Sequence, residues 1–286
     1  MDSKTKSLVE VHLAVFLFGV AGLFGKLLSL PAAIIVLGRV FFSSLFLGAL
    51  ILYLKQNVKL DKKRDYYYLV LMGLILAVHW SAFFQSIQMS TVAIGLLTFA
   101  TFPVFVTFLE PIFFGEKLQT VDIFTALITF AGVAFVIPKF ELGSQILQGV
   151  LIGLVSSFTY AVLSILNRKF ARIYPSTVIA FYEQLVALVA LIPFYFLYRP
   201  VLQINDLLLL VLLGIVFTGI AHTLFIQSLK NIRTYTAGII SNLEPVYGII
   251  IAIILIKEIP GFKEVIGGLL ILSTVFYSTL KAKGKG

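Results

Sequence analysis

Glu244 is an ionisable residue inside a long apolar run, which makes it a candidate for chemistry if that run crosses a membrane. It stands about eight residues into the run, or roughly 12 Å along a helix, near the middle of a ~30 Å hydrocarbon core. A carboxylate at that depth could bind the amine of a substrate or carry a coupling proton. The alternative is structural: Glu244 and Pro245 form a helix kink, with the carboxyl group hydrogen-bonded inside the bundle.

The region around Glu244 repeats an earlier part of the chain at an offset of 142 residues. Phe83-x-Gln85-Ser86 returns as Phe225-x-Gln227-Ser228, and Pro103-Val104 returns as Pro245-Val246. Gln85 and Gln227 could therefore be substrate contacts or hydrogen bonds between helices. The two prolines mark the same helix kink in both copies.

A second set of candidates lies just before the repeated glutamines. Trp80 and His222 are equivalent positions at the same offset, and His79 is adjacent to Trp80. Indole and imidazole faces could line a cavity and stack on a substrate. Each histidine could instead have a packing role with its polar atoms satisfied.

Arg39 and Glu183 form a third set. Each stands eight residues after a proline that opens an apolar run, Pro31 or Pro175. If the two runs enter the membrane from opposite faces, both side chains reach about 12 Å inward and lie close together near the midplane. Paired charges cost far less there than isolated ones. We expect a direct pair or a shared polar network; the alternative is that they face different cavities or snorkel.

The motifs of several enzyme classes are absent from the sequence. It contains no cysteine, no His-Glu-x-x-His, no Gly-x-Ser-x-Gly and no ATP-binding phosphate loop. We therefore expect no catalytic residues, no metal site and no cofactor.

The composition places these residues in a membrane. Hydrophobic residues make up 60% of the 286 residues and charged residues 12%, and the mean hydropathy is +1.05. Soluble domains carry roughly 25% charged residues, so most of this surface must face lipid. The net charge of +9 would suggest nucleic acid in a soluble protein, but most Lys and Arg cluster between apolar runs. The expected partner is therefore the bilayer, not nucleic acid.

Ten runs are long enough to span a membrane, which needs about 20 residues per helix. They are 8–28, 32–54, 66–88, 92–114, 121–138, 147–169, 176–198, 206–228, 236–256 and 263–280. The first run resembles a signal peptide, but its removal would break the count of five runs per half, so we expect it to be retained.

The distribution of Lys and Arg sets the orientation. With the N-terminus inside, sixteen of these residues lie on the cytoplasmic side and five outside, so both termini are expected to be cytoplasmic. Five spans per half make the second copy enter from the opposite face. We therefore predict an all-α membrane protein with a 5+5 inverted repeat around a central cavity, its halves being residues 1–140 and 141–286.

Several short motifs resemble the EamA repeat of the drug/metabolite transporter superfamily. The second copy has Leu243-Glu244-Pro245-Val246, Lys257-Glu258 and Gly267-Gly268; the first has Phe102-Pro103-Val104, Gly115-Glu116-Lys117-Leu118 and Gly132. The resemblance covers nearly the whole chain and implies a ten-helix carrier with two inverted repeats. The first copy departs from the pattern, with Phe102 where the second has Glu244.

These features favour a secondary transporter of the inner membrane that exports or exchanges a small metabolite. The resemblance favours amino acids or related amphipathic compounds, and leaves open a sugar-type or nucleotide-type metabolite or a drug. A channel, a scaffold and an intramembrane enzyme are the other hypotheses. A coupling proton or ion and a homodimer are both compatible with the sequence.

Overall fold

The computed structural model describes residues 2–114, 120–137, 141, 143–232 and 234–282. Within these ranges the regular structure is helical, without strands. The helices are α1 (Ser3–Gly22), α2 (Phe24–Leu27), α3 (Ala32–Tyr53), α4 (Lys63–Met89), α5 (Val92–Phe99), α6 (Phe102–Phe114), α7 (Thr120–Val136), α8 (Gln145–Phe170), α9 (Ser176–Tyr198), α10 (Ile204–Gly214), a π-helix (Ile215–Ile220), α11 (Ala221–Ser228), α12 (Thr234–Ser241), α13 (Leu243–Leu255) and α14 (Phe262–Ala282).

Eight helical segments of the described chain are long and apolar enough to cross a bilayer. They are Ser3–Leu27, Ala32–Tyr53, Lys63–Met89, Val92–Phe113, Gln145–Phe170, Ser176–Tyr198, Ile204–Ser228 and Thr236–Leu255; Ile123–Val136 is a shorter apolar helix. Many large apolar side chains on these helices are exposed, as lipid contact requires. The chain is therefore an integral, multi-pass membrane protein. The fifth and tenth expected runs coincide with α7 and α14, and the count of ten spans stays a prediction.

Two membrane segments are broken in the middle, at equivalent positions of the repeat. α5 ends before Ala100 and α6 begins at Phe102, while α12 and α13 are separated at Asn242. Pro103 and Pro245 lie in the first turns of α6 and α13, where a missing backbone N–H costs little. The expected proline-marked kink is thus an interruption that creates a new helix N-terminus in each half.

The bundle is held together by close helix crossings. α4 packs along α8 and α9, α3 along α9, and α1 against α11 and α13. At the crossing of α1 and α13, a Cβ added to Gly19 would lie 2.8 Å from the carbonyl oxygen of Glu244, and one added to Gly248 would lie 2.8 Å from that of Gly19. Only glycine permits this approach, which places the first turn of α13 beside α1.

Candidate functional site

A cavity lies inside the bundle, between helices contributed by both halves of the chain. Its lining consists of Phe18, Ala21, Arg39, His79, Trp80, Phe83, Phe99, Tyr160, His222 and Glu244. Its volume is about 20 Å³. That is room for about one water molecule. Five of the predicted site residues, Arg39, His79, Trp80, His222 and Glu244, therefore meet in one narrow cavity.

Arg39 is held over the face of Trp80. Its guanidinium carbon lies 3.9 Å from the Trp80 ring centroid and 5.3 Å from that of Phe84. Arg39 Nε donates a hydrogen bond of 2.8 Å to Thr218 Oγ1, and the whole side chain is only 2% exposed. A desolvated cation–π contact contributes about 2 kcal/mol. The positive charge is thus fixed on one wall of the cavity.

The π-helix supplies the hydroxyl group that Arg39 uses. Thr218 Oγ1 donates to the carbonyl oxygen of Leu213 at 2.7 Å while it accepts from Arg39. Gly214 and Gly219 bring this segment against α3, since a Cβ on Gly214 would lie 2.8 Å from the carbonyl oxygen of Arg39. π-Helical turns occur frequently at functional sites. Thr218 was not predicted from the sequence; the flanking glycines were the available signal.

Glu183 pairs with His222. His222 Nε2 lies 2.6 Å from Glu183 Oε2, with side-chain exposures of 1% and 0%. The second oxygen, Oε1, has no hydrogen-bond partner within the described part of the chain. His222 is part of the cavity lining, whereas Glu183 is not.

The direct pair expected between Arg39 and Glu183 is not formed. Glu183 instead pairs with the imidazole of His222, and Arg39 contacts Trp80 and Thr218. Trp80 lies between the two groups, because it carries Arg39 on its face and contacts His222 edge to face with ring centroids 5.4 Å apart. The link is therefore made through an aromatic ring, and a shared polar network stays a prediction. Arg39, Trp80, His222 and Glu183 thus form a continuous row.

Glu244 supplies the carboxyl group of the cavity lining. Its side chain is 3% exposed and lies in the first turn of α13, where the helix dipole favours an anion. It interacts electrostatically with Arg39, without an ion pair within 4.0 Å among the described residues. The expected kink is present, but no described group donates a hydrogen bond to the carboxylate. Its repeat equivalent, Phe102, instead stacks on Phe99 at 5.4 Å.

His79 is hydrogen-bonded as well as cavity-lining. Its Nδ1 lies 2.9 Å from both the carbonyl oxygen and the hydroxyl of Ser156. The ring stacks on Tyr160 at 4.8 Å and lies 5.4 Å from Phe99. The structure thus combines both interpretations of this histidine. Tyr160 and Phe99 were not singled out from the sequence, because their role depends on the crossing of α5 and α8.

The two repeated glutamines lie away from this cavity. Gln227 Oε1 accepts a hydrogen bond of 2.9 Å from Ser176 Oγ on α9. Gln85 lines a separate groove together with Ser81 and Tyr198. Gln227 therefore forms a hydrogen bond between helices, which is one of the two roles expected for it from the sequence.

A polar cluster closes one end of the bundle, where α4 joins α5. Glu258 Oε1 accepts from the backbone N–H of Val92 at 2.6 Å, and Glu264 Oε1 accepts from Thr91 Oγ1 at 2.9 Å. Lys26 Nζ donates to the carbonyl oxygen of Ser90 at 2.7 Å. This hydrogen bond links α2 to the same end of the bundle. Glu116, the sequence equivalent of Glu258, lies outside the described residues.

Known proteins resemble this chain along all or about two thirds of its length. An uncharacterized transporter, YxxF, of Bacillus subtilis (strain 168) is 26% identical over 293 residues, covering 100% of this chain and 94% of that protein. An uncharacterized transporter of Archaeoglobus fulgidus is 23% identical over 195 residues, covering 68% of this chain and 70% of the relative. A solved crystal structure matches with a TM-score of 0.73 at 18% identity, covering 98% of each chain, which is a likeness of fold alone.

The two halves of the sequence each match one family model. The model of the EamA-like transporter family matches residues 6–137 and again residues 147–280. These matches contain Pro103 in the first stretch and Pro245 in the second, the residues that open the two broken helices. The chain belongs to the EamA-like transporter family.

Proposed function

We propose that this membrane transporter is a secondary carrier that exports or exchanges a small amphipathic metabolite, with amino acids as the favoured class. The observation that carries the proposal is that a basic and an acidic side chain, Arg39 and Glu244, line the same aromatic cavity. The sequence has no ATP-binding phosphate loop, so an ion gradient or the substrate's own gradient drives transport.

The two charges match the two ends of an amino acid zwitterion. The guanidinium of Arg39 suits a carboxylate, and the carboxylate of Glu244 suits an ammonium group. Phe18, Phe83 and Phe99 give the remaining surface an apolar, aromatic character that suits the substrate's side chain. A neutral sugar offers hydroxyl groups but no opposite charge to either residue, which favours the amino acid over it.

The proposal includes the architecture expected from the sequence: ten spans in two inverted repeats, residues 1–140 and 141–286, in the inner membrane with cytoplasmic termini. The equivalent helix breaks at Ala100 and Asn242 support it, as do the two family matches. Inverted repeats with broken helices suit alternating access around a central site. Since the cavity holds about one water molecule, an amino acid can bind only after the helices move apart.

Counterflow into proteoliposomes tests the carrier function. Labelled L-phenylalanine is the first probe, followed by a charged amino acid, a hexose and a nucleotide. We expect saturable counterflow of the amino acid, reduced at least about tenfold by Glu244→Gln, since a charged hydrogen bond contributes roughly 1.5–3 kcal/mol. Glu10→Gln is the matched control, because Glu10 lies on α1 outside the cavity lining and pairs with Lys6 at 3.9 Å.

The other outcomes each support a different hypothesis. Counterflow of a hexose or nucleotide alone would replace the amino acid class. Flux that never saturates would indicate a channel. Equal counterflow by wild type and Glu244→Gln would remove Glu244 from the site.

A further inference from the structure

We propose that the Glu183–His222 pair is the proton-binding site of this carrier, a proposal that rests on the proposed carrier function and names its coupling ion. The two side chains are 2.6 Å apart and buried, yet His222 also forms part of the cavity lining. A proton arriving through the cavity can therefore reach the imidazole without crossing the apolar core.

The hydrogen-bond geometry leaves a place for one further proton. Nε2 of His222 is committed to Glu183, which leaves Nδ1 as the second ring nitrogen. When Nδ1 is bare, the pair is a neutral imidazole beside a carboxylate and carries one negative charge. When Nδ1 holds a proton, the pair is imidazolium and carboxylate and carries none. One proton thus changes the net charge of the site without any covalent step.

The proton changes the net charge of the pair itself. The charged and titratable groups of the cavity lining that face the pair are Arg39 on α3, Glu244 on α13, His79 on α4 and Tyr160 on α8. α1 contributes Phe18 and Ala21, which do not titrate. The Glu183–His222 pair carries one negative charge with His222 neutral and no net charge with His222 protonated. A buried site of zero net charge is the less costly one.

The Glu183–His222 pair can titrate, and it occupies the positions that a non-titrating pair, Arg39 and Trp80, occupies in the first half. Arg39 and Trp80 in the first half correspond to Glu183 and His222 in the second, and both pairs are formed, at 3.9 Å to the ring centroid and 2.6 Å respectively. Arginine stays charged and indole does not titrate, so only the second pair changes with pH. At these equivalent positions the first half has a permanent cation, and the second half has a site whose charge changes with pH.

Trp80 links the two pairs. It carries the guanidinium of Arg39 on its face, and its ring lies 5.4 Å from that of His222. A proton on His222 places a second cation next to this indole, which weakens the hold of Trp80 on Arg39. Arg39 is then freer to bind a carboxylate in the cavity, so proton and substrate occupancy are coupled and the coupling is reciprocal.

The test uses Trp80 itself, because it is the only tryptophan of the chain. Protonated imidazole quenches neighbouring indole emission more strongly than neutral imidazole does. In nanodiscs, wild-type emission is expected to fall through one sigmoidal transition as the pH is lowered. His222→Gln should lose the transition, Glu183→Gln should displace it, and His12→Gln, altering an exposed histidine on α1, should leave it unchanged. Elution as a monodisperse peak confirms that each variant is folded.

Two results of this titration would overturn the proposal. One is a wild-type emission that stays flat with pH. The other is a transition that persists unchanged in His222→Gln, which would place the proton on another group such as His79.

A second measurement separates the proton site from the carrier function. Proteoliposomes loaded with the pH indicator pyranine report protons moved during uptake of L-phenylalanine. The ratio of protons to substrate should fall to background in Glu183→Gln and stay at the wild-type value in Glu10→Gln. Substrate counterflow without wild-type proton movement would overturn the proton site and leave the carrier function standing. Absence of counterflow with every probe would remove the carrier function, and the emission titration alone would then decide the proton site.

Discussion

At the scale of single residues, the two cavity charges differ in how firmly they are held. Arg39 has a hydrogen-bond acceptor in Thr218 and an aromatic surface in Trp80, whereas Glu244 has no described hydrogen-bond donor. The cation is therefore pre-organised, and the carboxylate is left for a ligand to satisfy. A ligand that donates a hydrogen bond to Glu244 is therefore favoured over a ligand that has no donor.

The role of Thr218 gives a prediction at this scale. Thr218→Val keeps the shape of the side chain and removes the acceptor for Arg39 Nε. We expect the KM for counterflow to rise about fivefold to tenfold, because a net hydrogen bond contributes roughly 1 kcal/mol. Thr159→Val is the control, since the Thr159 hydroxyl bonds only to backbone carbonyl oxygens within α8. Equal KM values for both variants would show that Trp80 alone holds Arg39.

At the scale of elements, the sequence predicts helix positions well and helix continuity poorly. The expected run 176–198 coincides with α9, and 66–88 lies within α4. The run 92–114 is divided between α5 and α6, and 206–228 contains a π-helix between α10 and α11. Hydropathy indicates how long a segment stays apolar. It does not indicate whether the backbone hydrogen bonds of that segment are those of an α-helix or of a π-helix.

The same limit applies to the partners of the site residues. The sequence analysis placed Arg39 and Glu183 in one set and His222 in another, and a direct pair of the first two was one of the expected arrangements. The structure instead pairs Glu183 with His222. Which residue pairs with Glu183 depends on how far α11 is rotated about its axis relative to α9. No pattern in the sequence predicts that rotation. The choice of His222 as the partner comes from tertiary packing.

The polar cluster between α13–α14 and the start of α5 gives a prediction about elements. Glu258→Gln weakens the bond to the Val92 backbone N–H, so this end of the bundle should open more often. A cysteine replacing Ala21 in the cavity should then react with an impermeant maleimide about tenfold faster from that side, given a loss of roughly 1.4 kcal/mol. The same cysteine with Glu10→Gln is the control. An unchanged rate would show that the closure rests on Glu264 and Lys26.

At the scale of the whole molecule, the absence of cysteine makes the topology directly measurable. Single cysteines at Glu141 and Pro200 are expected to be labelled from outside the cell by an impermeant maleimide, and one at Asn57 only after permeabilisation. The expectation follows from ten spans with a cytoplasmic N-terminus. Labelling of all three positions from the same side would show that α7 does not cross the membrane.

The narrowness of the cavity has a consequence for the resting protein. Space for about one water molecule cannot support a continuous column of water across the bundle. Without substrate, the protein should therefore leak neither protons nor metal cations, and a cell can hold many copies of it without losing its membrane gradients.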